Sequence, residues 1–216
     1  VVEKFHVELK NLKEDVKKMG ELAKEMLRKG VLALKDQDEK MADCVISKKP
    51  EMNKYDRDIE AKALQLLTLY QPMAVDMRTL ATILKLITYL NRIGMYGKDI
   101  AKIAKELAKT VPIAKLVSIP YMAEIVCSMI DDSFKAFETS GLKTLDTLIE
   151  REEAVDSLRY SIFRECMTYM IEDPKTIVQC MNYTMVARYL ERCGDHALKM
   201  AEKINYMVTG EHKEFG

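Results

Sequence analysis

Tyr189-Leu-Glu-Arg-Cys-Gly-Asp-His-Ala-Leu-Lys-Met-Ala-Glu-Lys-Ile204 reads as helix, with apolar residues at Leu190, Cys193, Ala197, Met200, Ala201 and Ile204. Its beginning recurs earlier in the chain as Tyr89-Leu-Asn-Arg-Ile-Gly-Met95. Two further correspondences precede this pair in the same order. Lys40-Met-Ala-Asp-Cys-Val-Ile-Ser-Lys-Lys-Pro-Glu-Met-Asn53 lies over Lys143-Thr-Leu-Asp-Thr-Leu-Ile-Glu-Arg-Glu-Glu-Ala-Val-Asp156 without a gap. Pro72 then matches Pro174 after a one-residue adjustment. A period of about 100 residues is too long for a solenoid. It implies a duplicated three-helix unit and two bundles related by a pseudo-twofold.

Working outward, Leu9, Leu12, Val16, Met19, Leu22, Met26 and Leu27 step by three and four, predicting a long helix from about Glu3 to Leu34. After a turn at Asp36-Gln-Asp38, where Asp38 is a candidate N-cap, a second helix carries Met41, Val45 and Ile46. Pro50 should kink or restart it before Tyr55, Ile59, Ala63, Leu66 and Tyr70. A third helix follows Gln71-Pro72 and reaches Leu107. The seam between units falls between about Lys109 and Pro120, so the expected units are residues 1–112 and 113–216. The fold class is all-α: two tandem three-helix bundles, with six long helices.

The charged residues balance to a formal net charge of zero, and no Lys/Arg run tracks phosphates, which argues against nucleic acid as a partner. Five cysteines without a CxxC pair read as reduced thiols filling apolar space. Val1-Val-Glu-Lys-Phe5 lacks the apolar core of a signal peptide, and no run approaches a membrane span, so a cytoplasmic location is expected.

The chemistry concentrates in the second unit. Glu191 and Asp195 share one helical face, where like charges repel by a few tenths of a kcal/mol, roughly 0.2–0.5. Glu152 and Asp156 repeat that spacing on the preceding helix, and the turn at Glu172-Asp-Pro174 lies almost midway between the pairs. Antiparallel helices therefore bring four carboxylates to one height. Such a patch must be solvated, protonated or bridged by cations. Oxygen ligands select hard or borderline ions such as Mg, Ca, Mn or Fe. The competing reading is a solvated face on which Arg159, Arg188 and Arg192 partner the acids. Ferritin-like di-iron chemistry fails on spacing, because it needs Glu-x-x-His and His196 follows Glu191 by five. His196 is expected on a helix surface, and Gly194 at a helix contact. There is no glycine-rich phosphate loop, no GxSxG and no Cys/His pairing; no catalytic residue is assigned.

Gln71-Pro72-Met-Ala-Val-Asp76-Met-Arg78 resembles the QPxAxDLR segment of the PhoU family, and Glu191-Arg192-Cys-Gly194-Asp195-His-Ala resembles its ERxGDxA signature. Met167-Thr-Tyr169-Met-Ile-Glu-Asp173 and Tyr206-Met-Val-Thr-Gly-Glu211 are similar to that family's second repeat and C-terminus. The resemblance implies two three-helix bundles whose carboxylate motifs hold multinuclear metal clusters, of iron or other ions. It also implies a cytoplasmic negative regulator of phosphate uptake and signalling, with a phosphate ABC transporter and a sensor histidine kinase as partners. A homodimer is left open.

Carried over residue by residue, the family's metal positions are Glu152, Asp156, Glu191 and Asp195 in the second unit. In the first unit they hold Lys49, Asn53, Asn91 and Met95, so no family-type cluster is expected there. Asp76 is read as an acid complementing a helix N-terminus, with Arg78 paired nearby; part of a partner-binding face is the alternative. A metal-dependent enzyme or metal-storage bundle, or a metal-free helical scaffold, are the competing functions.

Overall fold

A computed structural model describes residues 2–114 and 116–215; Lys115, together with Val1 and Gly216 at the outer ends of the expected units, lies outside them. The first bundle comprises α1 (Val2–Asp36), α2 (Glu39–Ser47), α3 (Lys49–Tyr70) and α4 (Ala74–Leu107). The second comprises α5 (Ser118–Thr139), α6 (Leu148–Glu172) and α7 (Ile177–Thr209). Short 3-10 turns occupy Leu142–Leu145 and Pro174–Thr176, and the described residues contain no strand.

The expected second helix is two segments, because Pro50 has no N–H to donate and restarts the chain after Lys48. Asp38 caps α2 by accepting the Met41 backbone N–H at 2.9 Å. The gapless match between the repeats conceals a difference at this point. Gly141 stands where Asp38 stands in the first copy, offers no side-chain cap, and is followed by a 3-10 turn rather than a helix.

α1 lies at the centre of the first bundle, with Leu12, Val16, Met19, Met26 and Leu27 almost fully buried. It meets α4 at glycines: a Cβ on Gly97 would lie 2.6 Å from the Met26 carbonyl carbon, and one on Gly30 would lie 2.5 Å from the Gly97 oxygen. α4 and α7 run antiparallel and form the main seam between bundles, so one continuous core spans both. Along that seam the Thr82 hydroxyl donates to the Lys203 carbonyl at 3.2 Å, and Tyr96 stacks on Tyr189 at 5.2 Å. α1 and α5 add ion pairs, Lys24 with Asp131 and Arg28 bidentate on Glu124 at 3.0 and 3.1 Å.

Three local expectations change. Among the described residues Arg78 pairs with no acid; its Nε donates across the seam to the Met207 carbonyl at 3.3 Å, and its guanidinium lies over Gly210, which ends α7 in the left-handed region. The carbonyls at a helix C-terminus carry partial negative charge that a cation complements. Asp76, in the first turn of α4, lies 3.4 Å from His6 Nε2. His196 is half-buried: both ring nitrogens are buried and the ring stacks between Tyr89 at 5.7 Å and Tyr96 at 6.1 Å, so it is not the plain surface residue expected. Among the cysteines, Cys127, Cys166, Cys180 and Cys193 are buried as expected, whereas Cys44 is exposed. Burial pushes the Cys127 thiol up to about 11 and Cys166, which also meets Cys180, up to about 12. No described helix is long and apolar enough to cross a membrane.

Candidate carboxylate–arginine site

On α6, Glu152, Asp156 and Arg159 recur at helical spacing along the flank turned to α7. On α7, Arg188, Glu191 and Asp195 do the same in the opposite direction. Two contacts fix the register of this hairpin. Arg159 Nε lies 3.3 Å from Glu191 Oε2, and Val155 lies 3.7 Å from where a Gly194 Cβ would stand. The symmetry of the sequence around Glu172-Asp-Pro174 thus places the acids at a common height, close enough that Glu191 and Asp195 both act on Asp156.

The acids are not equivalent. Glu191 is nearly buried and ion-paired on both sides, by Arg159 and by Arg188, whose Nη1 donates to Oε1 at 2.6 Å. The Arg159 contact is one of charge, since its Nε makes no aligned hydrogen bond. Asp195 accepts from Arg192 at 2.8 Å. Asp156 has one oxygen, Oδ1, that is buried without a hydrogen-bond partner. Burial, followed by the charges of Glu191 and Asp195, raises the Asp156 carboxyl above its ordinary value. Burial also raises Glu152, with Asp156 and Asp195 adding to it. Arginines pair with Glu191 and Asp195, whereas burial and neighbouring acids favour the protonated form of Glu152 and Asp156.

The residues fit a hard cation in donor chemistry, since all four offer carboxylate oxygens and Asp156 Oδ1 lacks a partner. They are not gathered as a ready chelate. Among the described residues no three His, Cys, Asp or Glu side chains converge as metal ligands. Glu152 and Asp156 would hold the ion first, and Glu191 and Asp195 only on exchanging their arginines. Sequence reading weighed a cation site against an arginine-partnered face as alternatives; the arginine partners of Glu191 and Asp195 are present in the structure.

The first bundle repeats the framework with different chemistry. Asp56 and Asn91, the counterparts of Arg159 and Glu191, touch as their copies do, with Asn91 Nδ2 donating to Asp56 Oδ2 at 2.9 Å. An amide–carboxylate hydrogen bond replaces the ion pair. Met95, the counterpart of Asp195, offers its sulfur to Lys98 Nζ at 4.0 Å.

Sequence reasoning missed the stacked rings of Tyr189, Tyr96, His196 and Tyr89, which follow one another along the α4–α7 seam beside the site. The signal was present: Tyr89 and Tyr96 are seven residues apart, as are Tyr189 and His196, so each pair shares a helix face.

Residues 16–104 and 119–204 each match the PhoU domain. A phosphate-specific transport system accessory protein PhoU homolog of Caulobacter vibrioides is 36% identical over 211 residues, covering 97% of this chain and 92% of that protein. One of Aquifex aeolicus is 36% identical over 208 residues, covering 96% and 94%. The crystal structure of PhoU from Pseudomonas aeruginosa superposes with a TM-score of 0.91 at 29% identity, covering 96% of this chain and all of that one (100%). The phosphate transport system regulatory protein PhoU from Streptococcus pneumoniae gives 0.88 at 26%, covering 97% and 99%. With its family domain matched in both halves and relatives at this level along nearly its whole length, the chain belongs to the PhoU family.

Proposed function

We propose that this chain is an accessory protein of a phosphate transport system, a negative regulator of phosphate uptake and phosphate signalling. It works as a cytoplasmic adaptor between a phosphate ABC transporter and a sensor histidine kinase, by binding rather than by catalysis. The observation that carries this reading is likeness along almost the full length to proteins named as accessory to phosphate-specific transport. The architecture supports it: two bundles joined through α4 and α7 present different chemistry on equivalent faces, as an adaptor between unlike partners needs.

The same reading gives the second bundle a cation site at Glu152, Asp156, Glu191 and Asp195. Its support is the buried, unpartnered Asp156 Oδ1 and the raised carboxyls of Glu152 and Asp156. A divalent or iron-type ion held by these residues would supply positive charge there. The chain's own residues position the acids, with Arg159 and Arg188 holding Glu191. A metal-free scaffold is the competing reading, favoured by those same arginines.

Co-purification with the transporter ATPase and the sensor kinase at high and low phosphate tests the adaptor. Recovery of neither at either level contradicts it. Metal analysis of protein purified without chelator, beside Asp156→Asn, tests the cation site separately. Equal and negligible metal in both would end the cation reading and leave the adaptor standing.

A further inference from the structure

Gln179 and Tyr183 stand one turn apart on α7 and are both more than nine-tenths buried, at 8% and 7% exposure. They bond to each other: Gln179 Nε2 donates to the Tyr183 hydroxyl at 2.9 Å. That bond leaves the Gln179 carbonyl oxygen as an acceptor and the Tyr183 O–H as a donor, and neither has a partner among the described residues. Turning the amide over exchanges the two roles and still leaves one of each. Unpaired polar atoms at this depth are costly unless something meets them. The duplicated unit supplies an internal comparison. Counting from the matched Pro72 and Pro174, Gln179 corresponds to Met77, which is 43% exposed. The buried glutamine therefore belongs to the second bundle alone.

Both residues line a cavity of about 420 Å³ between the bundles. Its apolar walls are Leu34 from α1, Leu107 from α4, and Pro112 and Leu116 from the connection between α4 and α5. Across Ala114, Leu116 and Tyr183 it adjoins a second cavity of about 150 Å³, lined also by Ile162 and Cys166 of α6. Small-molecule sites typically occupy roughly 300–1,000 Å³, with apolar walls and a few placed polar groups. A void of about 150 Å³ with aliphatic walls is enough to admit benzene. The charged residues of the larger cavity, Lys35 and Asp36, are exposed, adjacent and opposite in sign. They offset each other, so an ionic head would gain no net partner for the water it loses. The Gln37 amide is already spent on the Leu107 and Thr110 carbonyls, at 3.2 and 2.6 Å. The polar atoms left to a ligand are those of Gln179 and Tyr183.

We propose that this cavity binds a small uncharged molecule whose amide or lactam head sits on the Gln179–Tyr183 pair and whose apolar body fills the space under the connection. An amide offers an N–H to the Gln179 oxygen and a carbonyl to the Tyr183 hydroxyl, the complement of what the pair leaves open. Water can serve both polar atoms, yet it gains nothing from the aliphatic walls. A ligand here touches α1, α4, the connection and α7 together, so its occupancy ties one bundle to the other. Tyr183 is more than two helical turns from Glu191, which keeps this site separate from the carboxylates.

Calorimetric titration of the full chain with octanamide tests this, beside octanoate, an analogue of equal length that is charged at neutral pH. Octanamide should bind one to one and saturate below about 1 mM. Octanoate should bind about tenfold more weakly or not at all. Tyr183→Phe keeps the ring and removes the hydroxyl, and should weaken octanamide binding about tenfold. Ala114→Leu, which fills the wall shared by the two cavities, should abolish it. The wild-type preference for the amide over the carboxylate is a readout independent of how the variants fold. Absence of saturable octanamide binding at about 1 mM overturns the proposal. So does octanoate bound as tightly, or octanamide binding that Tyr183→Phe and Ala114→Leu both leave unchanged.

Discussion

Two glycines inside long helices make a paired prediction of opposite sign, and one of them belongs to the family signature. Alanine at an interior helical position is favoured over glycine by about 1 kcal/mol. At Gly194 the added Cβ would meet Val155 Cγ1 at 3.7 Å and Val126 Cγ2 at 4.0 Å, ordinary contacts that need no movement. A buried methyl adds up to about 0.8 kcal/mol, so Gly194→Ala should stabilise by roughly 1–2 kcal/mol, or about 2–7 °C in Tm for a chain of this size. At Gly97 the same methyl would stand 2.6 to 2.8 Å from the backbone of Met26 and Leu27. Backbone cannot rotate aside, so α1 and α4 must part along their contact. Overpacking of this kind costs about 1–3 kcal/mol and more where helices separate; against the propensity gain of about 1 kcal/mol, Gly97→Ala should be destabilised by about 0–2 kcal/mol, and by more if the helices part. Urea unfolding of both variants decides. A stabilised Gly97→Ala would refute the close approach, and a Gly194→Ala less stable than wild type would show contacts at that site that the structure does not contain. If Gly194→Ala is more stable yet loses regulation in cells, the glycine is kept for a ligand or partner, and the expectation that it serves packing is wrong.

The remaining predictions concern charge. Glu152 and Asp156 have folded-state values raised above the unfolded ones, so the stability they contribute is fully present below the unfolded value and is lost as pH rises through the folded one. With metal chelated, Asp156→Asn should therefore gain stability over wild type at pH 7 and show little difference near pH 3; the opposite order would mean that Asp156 is stabilised as an anion. Arg78→Ala removes the donor to Met207 and the cation at the end of α7, at a cost of about 1 kcal/mol. Hydrogen exchange should then quicken across residues 203–210, and unchanged protection there would count against the cap. Asp131→Ala leaves the nearly buried Lys24 with only Glu21, which should lower stability by about 1 kcal/mol and be mended by the second substitution Lys24→Met; a double variant no better than the single one would show that the ion pair was not the cause.

Local periodicity made the helices, the duplication and the common height of the four acids readable, because spacing along a helix determines which side chains share a face. Partners across helices were harder to read. Arg78 was expected to pair near its own Asp76, yet it reaches a carbonyl 129 residues away in the other bundle. Nothing local marks that, since an arginine satisfied by a backbone oxygen leaves no complementary acid in the sequence. His196 was expected on a helix surface because its spacing from Glu191 does not suit a ligand. Its burial comes from Tyr89 and Tyr96, which only the α4–α7 seam brings near. The alignment treated Lys40–Asn53 and Lys143–Asp156 as equivalent, while Gly141, which lacks the capping side chain of Asp38, is followed by a 3-10 turn where the first copy has a helix. Each miss has the same physical origin: tertiary contacts and single caps decide between alternatives that periodicity leaves equal.

Uptake of radiolabelled phosphate by cells lacking the chain, compared with cells carrying it, addresses the regulatory role most directly. At high external phosphate the cells without it should take up phosphate faster, and restoring the wild-type chain should bring the rate down. Equal rates with and without the chain, at both high and low phosphate, would contradict a negative regulator of phosphate transport.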